Sequence, residues 1–360
     1  MERNPYFWAV DPAGNQLPYI DRITHAFFDN IEVLNFKILN GEIDCQNRHV
    51  SSANYTVFRE NEEKGDYRLI IWKDAQTYAY HFNLSWNEDE VLQEIINDQR
   101  FREAVTLCID REEVNDLVFD GTLEPRQHSP VTGSPEFKAE YETYMIDYDP
   151  DQANALLDDM GLTERDGDDF RLRPDGERLT LRLTYALASF AGSDDMHLLL
   201  QEYLDDIGVE LLMEGVERSL HEERADNNQI MVHSWVTDRS AVVKADPNWY
   251  LGASNELWWL WRNTNGAEGS PPPEGHLQQT LWDMWDQVQI EPNEGKRNEM
   301  FDEILDLNIK AMWNVGVCGE APALFVTKNN FRNVPEGLVQ DDPLRAIGLG
   351  QPMQFFIRSS

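Results

Sequence analysis

The residues best suited to chemistry lie in one tract, from His233 to Trp261. It holds Trp235, Asp238, Asp246, Trp249, Tyr250, Trp258, Trp259 and Trp261, so five of the chain's 11 tryptophans fall within 29 residues. Trp and Tyr offer flat apolar faces with a polar tip, which suits a cleft that holds an amphipathic ligand. A carboxylate among such rings can pair with a ligand amine, and Asp238 and Asp246 are the candidates. The competing reading is a tryptophan-rich core with Asp246-Pro247 as a turn. A second candidate set is His81 and Asn83, on the polar face of an alternating stretch. For these the competing reading is solvent or satisfied polar groups in a core.

Other chemistries find no support. Asp166, Asp168 and Asp169 are spaced like a calcium loop, but that loop needs Gly at its sixth position, where Arg171 stands. The spacing reads instead as a solvated hairpin. The eight histidines include no HExxH, and no GxGxxG, GxxxxGK[ST] or GxSxG occurs. Cys45, Cys108 and Cys318 are too far apart for a CxxC site and read as buried free thiols. The 66 acidic residues do not make a hydrolase, because general acid–base work needs a positioned pair with split pKa values. The expectation is a binding protein without cofactor or metal; a carboxylate-dependent hydrolase is the alternative class.

The elements that must position the tract read as strands alternating with helices, hence an α/β chain with mixed sheets. Tyr67–Lys73 reads as a buried strand. Thr77–Leu84 has period two, with Tyr78, Tyr80, Phe82 and Leu84 on one face. Further strands are expected at Leu179–Tyr185, Val209–Met213, Ile230–Trp235 and Ala323–Thr327. Asp110 with Glu113, and Asp149 with Pro150 and Gln152, mark helix starts. Gly121, Gly161 and Gly208 mark helix ends. Phe101, Val105 and Cys108 share a helix face, and Arg102 and Arg111 read as structural, pairing with acids. Helices are also expected around Met196–Ile207 and in two runs after Ser270-Pro271-Pro272-Pro273.

Composition narrows the partners. Hydrophobic residues are 41% and charged residues 27%, as in an ordinary globular protein, but the formal net charge is −36. No basic block offsets it, which argues against nucleic acid and anionic lipid. With 22 Arg and 8 Lys the surface also follows the acidic, lysine-poor pattern of high-salt organisms.

The opening segment carries a resemblance. Asn4-Pro5-Tyr6-Phe7-Trp8 is followed by Gly14-Asn15-Gln16-Leu17-Pro18-Tyr19-Ile20-Asp21, a proline-broken loop with apolar rings that need something to pack on. It resembles a segment of family 5 extracytoplasmic solute-binding proteins of ABC importers, which take up oligopeptides, oligosaccharides and nickel complexes. Further segments are similar in the same order: Asp98 through Arg102 to Ile109-Asp110-Arg111, Tyr148-Asp149-Pro150 to Gly161, Arg165 to Gly176, Leu204 to Val209, and Asn329 to Pro335. The resemblance implies a two-lobe type II periplasmic-binding-protein-like fold whose first lobe is incomplete. Residues 1–44 would be a remnant of lobe I, 45–322 lobe II, and 323–360 a return to lobe I. It implies that the signal sequence, the anchoring cysteine region and most of lobe I are absent from this chain. It also implies a monomeric, extracytoplasmic receptor that delivers a peptide-like solute, or alternatively an oligosaccharide, to membrane permease subunits. Trp235, Asp238, Asp246, Trp249, Tyr250, Trp258, Trp259 and Asn83 are the expected ligand contacts.

Overall fold

A computed structural model describes residues 1–28, 30–187, 189–190, 193–344 and 347–358. Among the described residues twelve strands follow in chain order: β1 Cys45–Gln46, β2 Tyr67–Asp74, β3 Thr77–Phe82, β4 Glu124–Pro125, β5 Thr180–Ala186 and β6 Glu210–Val216. The rest are β7 Val232–Thr237, β8 Asn314–Gly319, β9 Pro322–Lys328, β10 Phe331–Arg332, β11 Val339–Gln340 and β12 Phe356–Ile357. They belong to two compact units, one of Met1–Ala75 with Glu320–Ser360, the other of Gln76–Gly319.

The unit boundaries fall at 75/76 and 319/320, not at the expected 44/45 and 322/323. The reason is strand pairing. Strand β2 runs antiparallel to β9 from Tyr67 opposite Lys328 to Lys73 opposite Pro322. That ladder ties residues after 44 to the C-terminal segment.

The first unit is built on a four-stranded sheet, β1-β9-β2-β11. Side chains alternate across a strand, so each face carries its own core. Leu34, Ile38, Phe58, Tyr67, Leu69, Leu324 and Val326 pack on one face. Ile70, Trp72, Phe325, Phe331, Val334 and Phe355 pack on the other. A helix, Ile31–Leu39, supplies Leu34 and Ile38. The opening loop is held by its own polar groups. Gln16 Nε2 donates to the carbonyls of Pro5 and Phe7 at 2.8 Å, and Tyr19 Oη donates to Asp11 at 2.7 Å. Leu17 is buried, but Tyr6 is 90% and Trp8 86% exposed, so these two rings lack the packing expected of them.

The second unit is built on a six-stranded sheet, β4-β8-β3-β7-β5-β6. Strands β7, β5 and β6 are mutually parallel, and helices Ser193–Asp206 and Arg218–Asp226 lie between them in sequence, as crossover connections require. Strands β4, β8, β3 and β7 pair antiparallel. Central strand β3 is covered on both faces. His81 and Asn83 are therefore buried along with Tyr80 and Phe82, and the alternation read from sequence separates two interiors instead of core from solvent. Helix starts follow the expected capping chemistry. Asp98, Asp110 and Asp149 accept from the amides of Arg100, Glu113 and Gln152 at 2.9–3.0 Å. Cys108 and Cys318 are buried free thiols, while Cys45 is half-buried.

Candidate functional site

All eight expected contact residues belong to the second unit, and the sheet decides where they go. Strands β3 and β7 place His81 directly opposite His233. Their rings are 4.7 Å apart, and helix Arg218–Asp226 brings His221 to 5.7 Å from His233. Trp249 stacks on His81 at 4.6 Å and Trp235 on His221 at 5.5 Å. The result is a row of five rings, Trp249–His81–His233–His221–Trp235. The Arg218 guanidinium lies over Trp235 at 5.0 Å, a cation–π contact, and Phe190 meets the same ring edge-on.

The histidines in this row are neutral near pH 7. Burial pushes His81 down to about 4 and also lowers His233 and His221. His81 Nδ1 bonds Asn314 Oδ1 at 2.7 Å, and Nε2 lies 3.2 Å from the Trp235 carbonyl. Both oxygens only accept, so the neutral ring can serve one of them and the protonated ring both. Neither ring nitrogen of His233 has a hydrogen-bond partner.

Beyond the end of β7 lies a charged cluster. Arg239 Nε donates to Asp246 Oδ2 at 2.6 Å, and its Nη1 donates to Asp238 Oδ1. Asp238 Oδ1 also accepts from Trp249 Nε1 at 3.1 Å, which joins the cluster to the ring row. Asp238 and Asp246 thus converge, as a pair of ligand-holding carboxylates would, but an arginine of the chain itself already lies between them. Lys244 is engaged elsewhere, with Glu136 at 2.7 Å and Asn298 at 2.7 Å.

The remaining expected contacts are not gathered there. Asn83 is buried and saturated: its Nδ2 donates to Asn228 Oδ1 and the Ile230 carbonyl, and its Oδ1 accepts from the Ser85 amide and hydroxyl. Tyr250 is fully buried and stacks on His128 at 4.3 Å. Trp258 is buried against His276. Trp259 is half-buried on helix Glu256–Asn263. Tyr250, Trp258 and Asn83 therefore pack the interior, in line with the competing core reading for these three.

Sequence reasoning passed over Arg218, Arg239 and Glu256. Glu256 opens the helix Glu256–Asn263, and burial, with Asp226 adding to it, pushes its carboxyl up to about 8. The signal was available: an acid immediately before Leu257-Trp258-Trp259-Leu260-Trp261 is placed against apolar surface. Arg102 and Arg111 are structural, but they serve carbonyls instead of acids. Arg102 donates to the Ile96 and Ala311 carbonyls, and Arg111 to those of Gly316, Thr106 and Ile146. Burial lowers both to about 10. Asp166 and Asp168 each bond Arg178 at 2.6 Å, as expected of a hairpin. Among the described residues no group of three or more His, Cys, Asp or Glu is arranged to hold a metal ion, and no helix is long and apolar enough to cross a membrane.

Comparison with known proteins places this architecture. Residues 1–257 match the family described as bacterial extracellular solute-binding proteins, family 5 Middle. The chain is 23% identical over 351 residues to the periplasmic alpha-galactoside-binding protein of Rhizobium meliloti, covering 94% of this chain and 50% of that relative. It is similar to the solved oligopeptide-binding protein OppA, with 40% identity and a TM-score of 0.75, covering 99% of this chain and 60% of OppA. At 18% identity its fold also matches the binding protein MelB from Agrobacterium fabrum, solved with stachyose (TM-score 0.73, 99% of this chain and 55% of MelB). The chain thus spans about half the length of the first curated relative and has the mixed-sheet fold of type II periplasmic binding proteins. It belongs to the family 5 bacterial extracellular solute-binding proteins.

Proposed function

We propose that this chain is part of the receptor subunit of an ABC importer, acting outside the cytoplasm to capture an oligomeric solute and hand it to permease subunits. The solute is of the peptide or oligosaccharide class, the two named among the relatives. The observation that carries the reading is the family match over residues 1–257, together with two half-buried tryptophans at the ends of the ring row, of which Trp249 bonds a charged cluster. Aromatic faces beside a few fixed polar groups suit amphipathic solutes. The second unit supplies the ligand contacts, the first belongs to lobe I, and binding works without a catalytic step or a cofactor. The protein acts as a monomer.

The test is titration of the purified chain with trialanine and with stachyose, followed by calorimetry and tryptophan fluorescence. Saturable binding of one class is expected, weakened about tenfold or more by Trp235→Ala or Trp249→Ala. Absence of saturable binding of either class at millimolar concentration overturns the reading. Turnover of peptide or glycoside would replace it with the hydrolase alternative.

A further inference from the structure

The arrangement around Arg239 is unusual in its backbone as well as its charge. Adjacent side chains on an extended strand point to opposite faces, yet Arg239 bonds the carboxylate of its own neighbour Asp238. It does so from the left-handed region, with φ of 65°. That conformation costs a residue with a Cβ about 1 kcal/mol or more. The guanidinium then bridges Asp238 and Asp246, one nitrogen to each. The three side chains are 26%, 13% and 32% exposed, so the cluster is partly open to solvent.

Two converging carboxylates, one of them bonded to the Trp249 indole nitrogen, make a strong seat for an ammonium group. Here the seat holds a cation that is part of the chain. A guanidinium keeps its charge at every accessible pH, and its planar fork holds two carboxylates at once. An incoming ammonium must displace a partner present at the high effective concentration of an intramolecular group, and must leave that guanidinium without its carboxylates. We infer that Arg239 is a specificity-determining residue, a built-in cation that closes Asp238 and Asp246 to ligand amines. The cluster presents fixed hydrogen-bonding groups to solutes that bring hydroxyl or amide groups to this point. The inference rests on the proposed solute-binding reading of the second unit.

The experiment compares wild type, Arg239→Gln and Arg239→Lys, each checked for folding by circular dichroism and thermal melting. The probes are trialanine, N-acetyltrialanine, stachyose and 1,4-diaminobutane. Wild type is expected to bind the free and acetylated peptides within about threefold of each other. Arg239→Gln is expected to gain about tenfold or more for the free amine over the acetylated form, and to bind 1,4-diaminobutane more tightly than wild type does. Arg239→Lys, which still supplies a cation, is expected to keep the wild-type pattern. A preference of about tenfold for the free amine in wild type overturns the inference. So does an Arg239→Gln protein that gains nothing for either amine. Failure of wild type to bind any peptide or stachyose would count against the proposed function instead, and the diamine comparison would still decide the role of Arg239.

Discussion

The first 39 residues and the tract from His233 to Trp261 are both aromatic and both broken by proline, yet they meet opposite fates. In the opening segment Tyr6, Trp8 and Phe27 stand exposed, Phe27 at 98%. In the tract Tyr250 and Trp258 are buried, and Trp235 and Trp249 are half-covered by histidine rings. The tract leaves the interior strand β7 and returns under helices Leu277–Ile290 and Glu294–Lys310, where Trp282 Nε1 and Gln278 Nε2 bond the Leu251 carbonyl. The opening segment has mostly local hydrogen bonds and the isolated bridges Glu2–Arg22 and Val10–Gln16, and it reaches the C-terminal segment through the Tyr19 amide on the Met353 carbonyl and the Tyr19 ring edge-on to Phe356. Aromatic content alone does not decide burial; a sheet face or a helix pair to lie against does.

The same contrast holds for titratable groups, and acid should expose it most strongly. All six buried or half-buried histidines belong to the second unit, while the first unit's His25 and His49 are exposed. Burial depresses His81, His197 and His276 to about 4 and lowers His128, His221 and His233 as well. With folded values depressed, their contribution is fully present above the unfolded value near 6.5 and is lost as pH falls from there toward 4. The second unit should lose on the order of 5 kcal/mol across that window. Hydrogen exchange read by mass spectrometry at both ends of the window should show it opening while β2 and β9 stay protected. Equal loss in both units would break the contrast.

Next in size is Arg111→Ala. It strips hydrogen bonds from five carbonyl and hydroxyl oxygens and leaves a void in the second unit. A loss of about 4 kcal/mol is expected in urea unfolding; under about 1 kcal/mol would show that the second unit is less tightly tied than its geometry states. Glu256→Gln sharpens the comparison in the other direction. The folded carboxyl is raised to about 8, so its contribution is present below the unfolded value near 4.5 and is lost as pH rises through 8. The variant should match wild type near pH 4 and exceed it by about 2 kcal/mol near pH 9, as read from paired thermal melts. Smallest is Trp8→Ser with Phe27→Ser, expected to change stability by less than about 0.5 kcal/mol while lowering self-association by light scattering. A large destabilisation there would mean that the opening segment packs as the tract does.

Much of the scaffold was legible because local chemistry specifies it. The caps at Asp98, Asp110 and Asp149, the stops at Gly121, Gly161 and Gly208, and strands β2, β5, β7 and β9 follow from side-chain oxygens, left-handed glycines and apolar periodicity. Strand β8 was not legible, because Asn314-Val-Gly-Val-Cys-Gly319 has two glycines where a strand prefers branched residues. Gly316 is needed there: a Cβ would lie 2.4 Å from the His128 nitrogen, so the two backbones approach more closely than a side chain allows. The helix Glu256–Asn263 was not legible as a helix, because Leu257-Trp258-Trp259-Leu260-Trp261 is a nearly continuous apolar run too short to show a helical period.

The sequence by itself determined the α/β class, the family resemblance, the acidic surface and the concentration of rings near Trp249, since each depends on residue type and short spacing. Only the tertiary structure decided which of those rings are core and which stay half-open. It alone showed that His81 faces His233 across two strands 152 residues apart, and that Arg239 occupies the carboxylates a ligand amine was expected to find. Spacing along a chain carries no record of which charge reaches a carboxylate first; a left-handed backbone at one arginine settles that, and only folding reveals it.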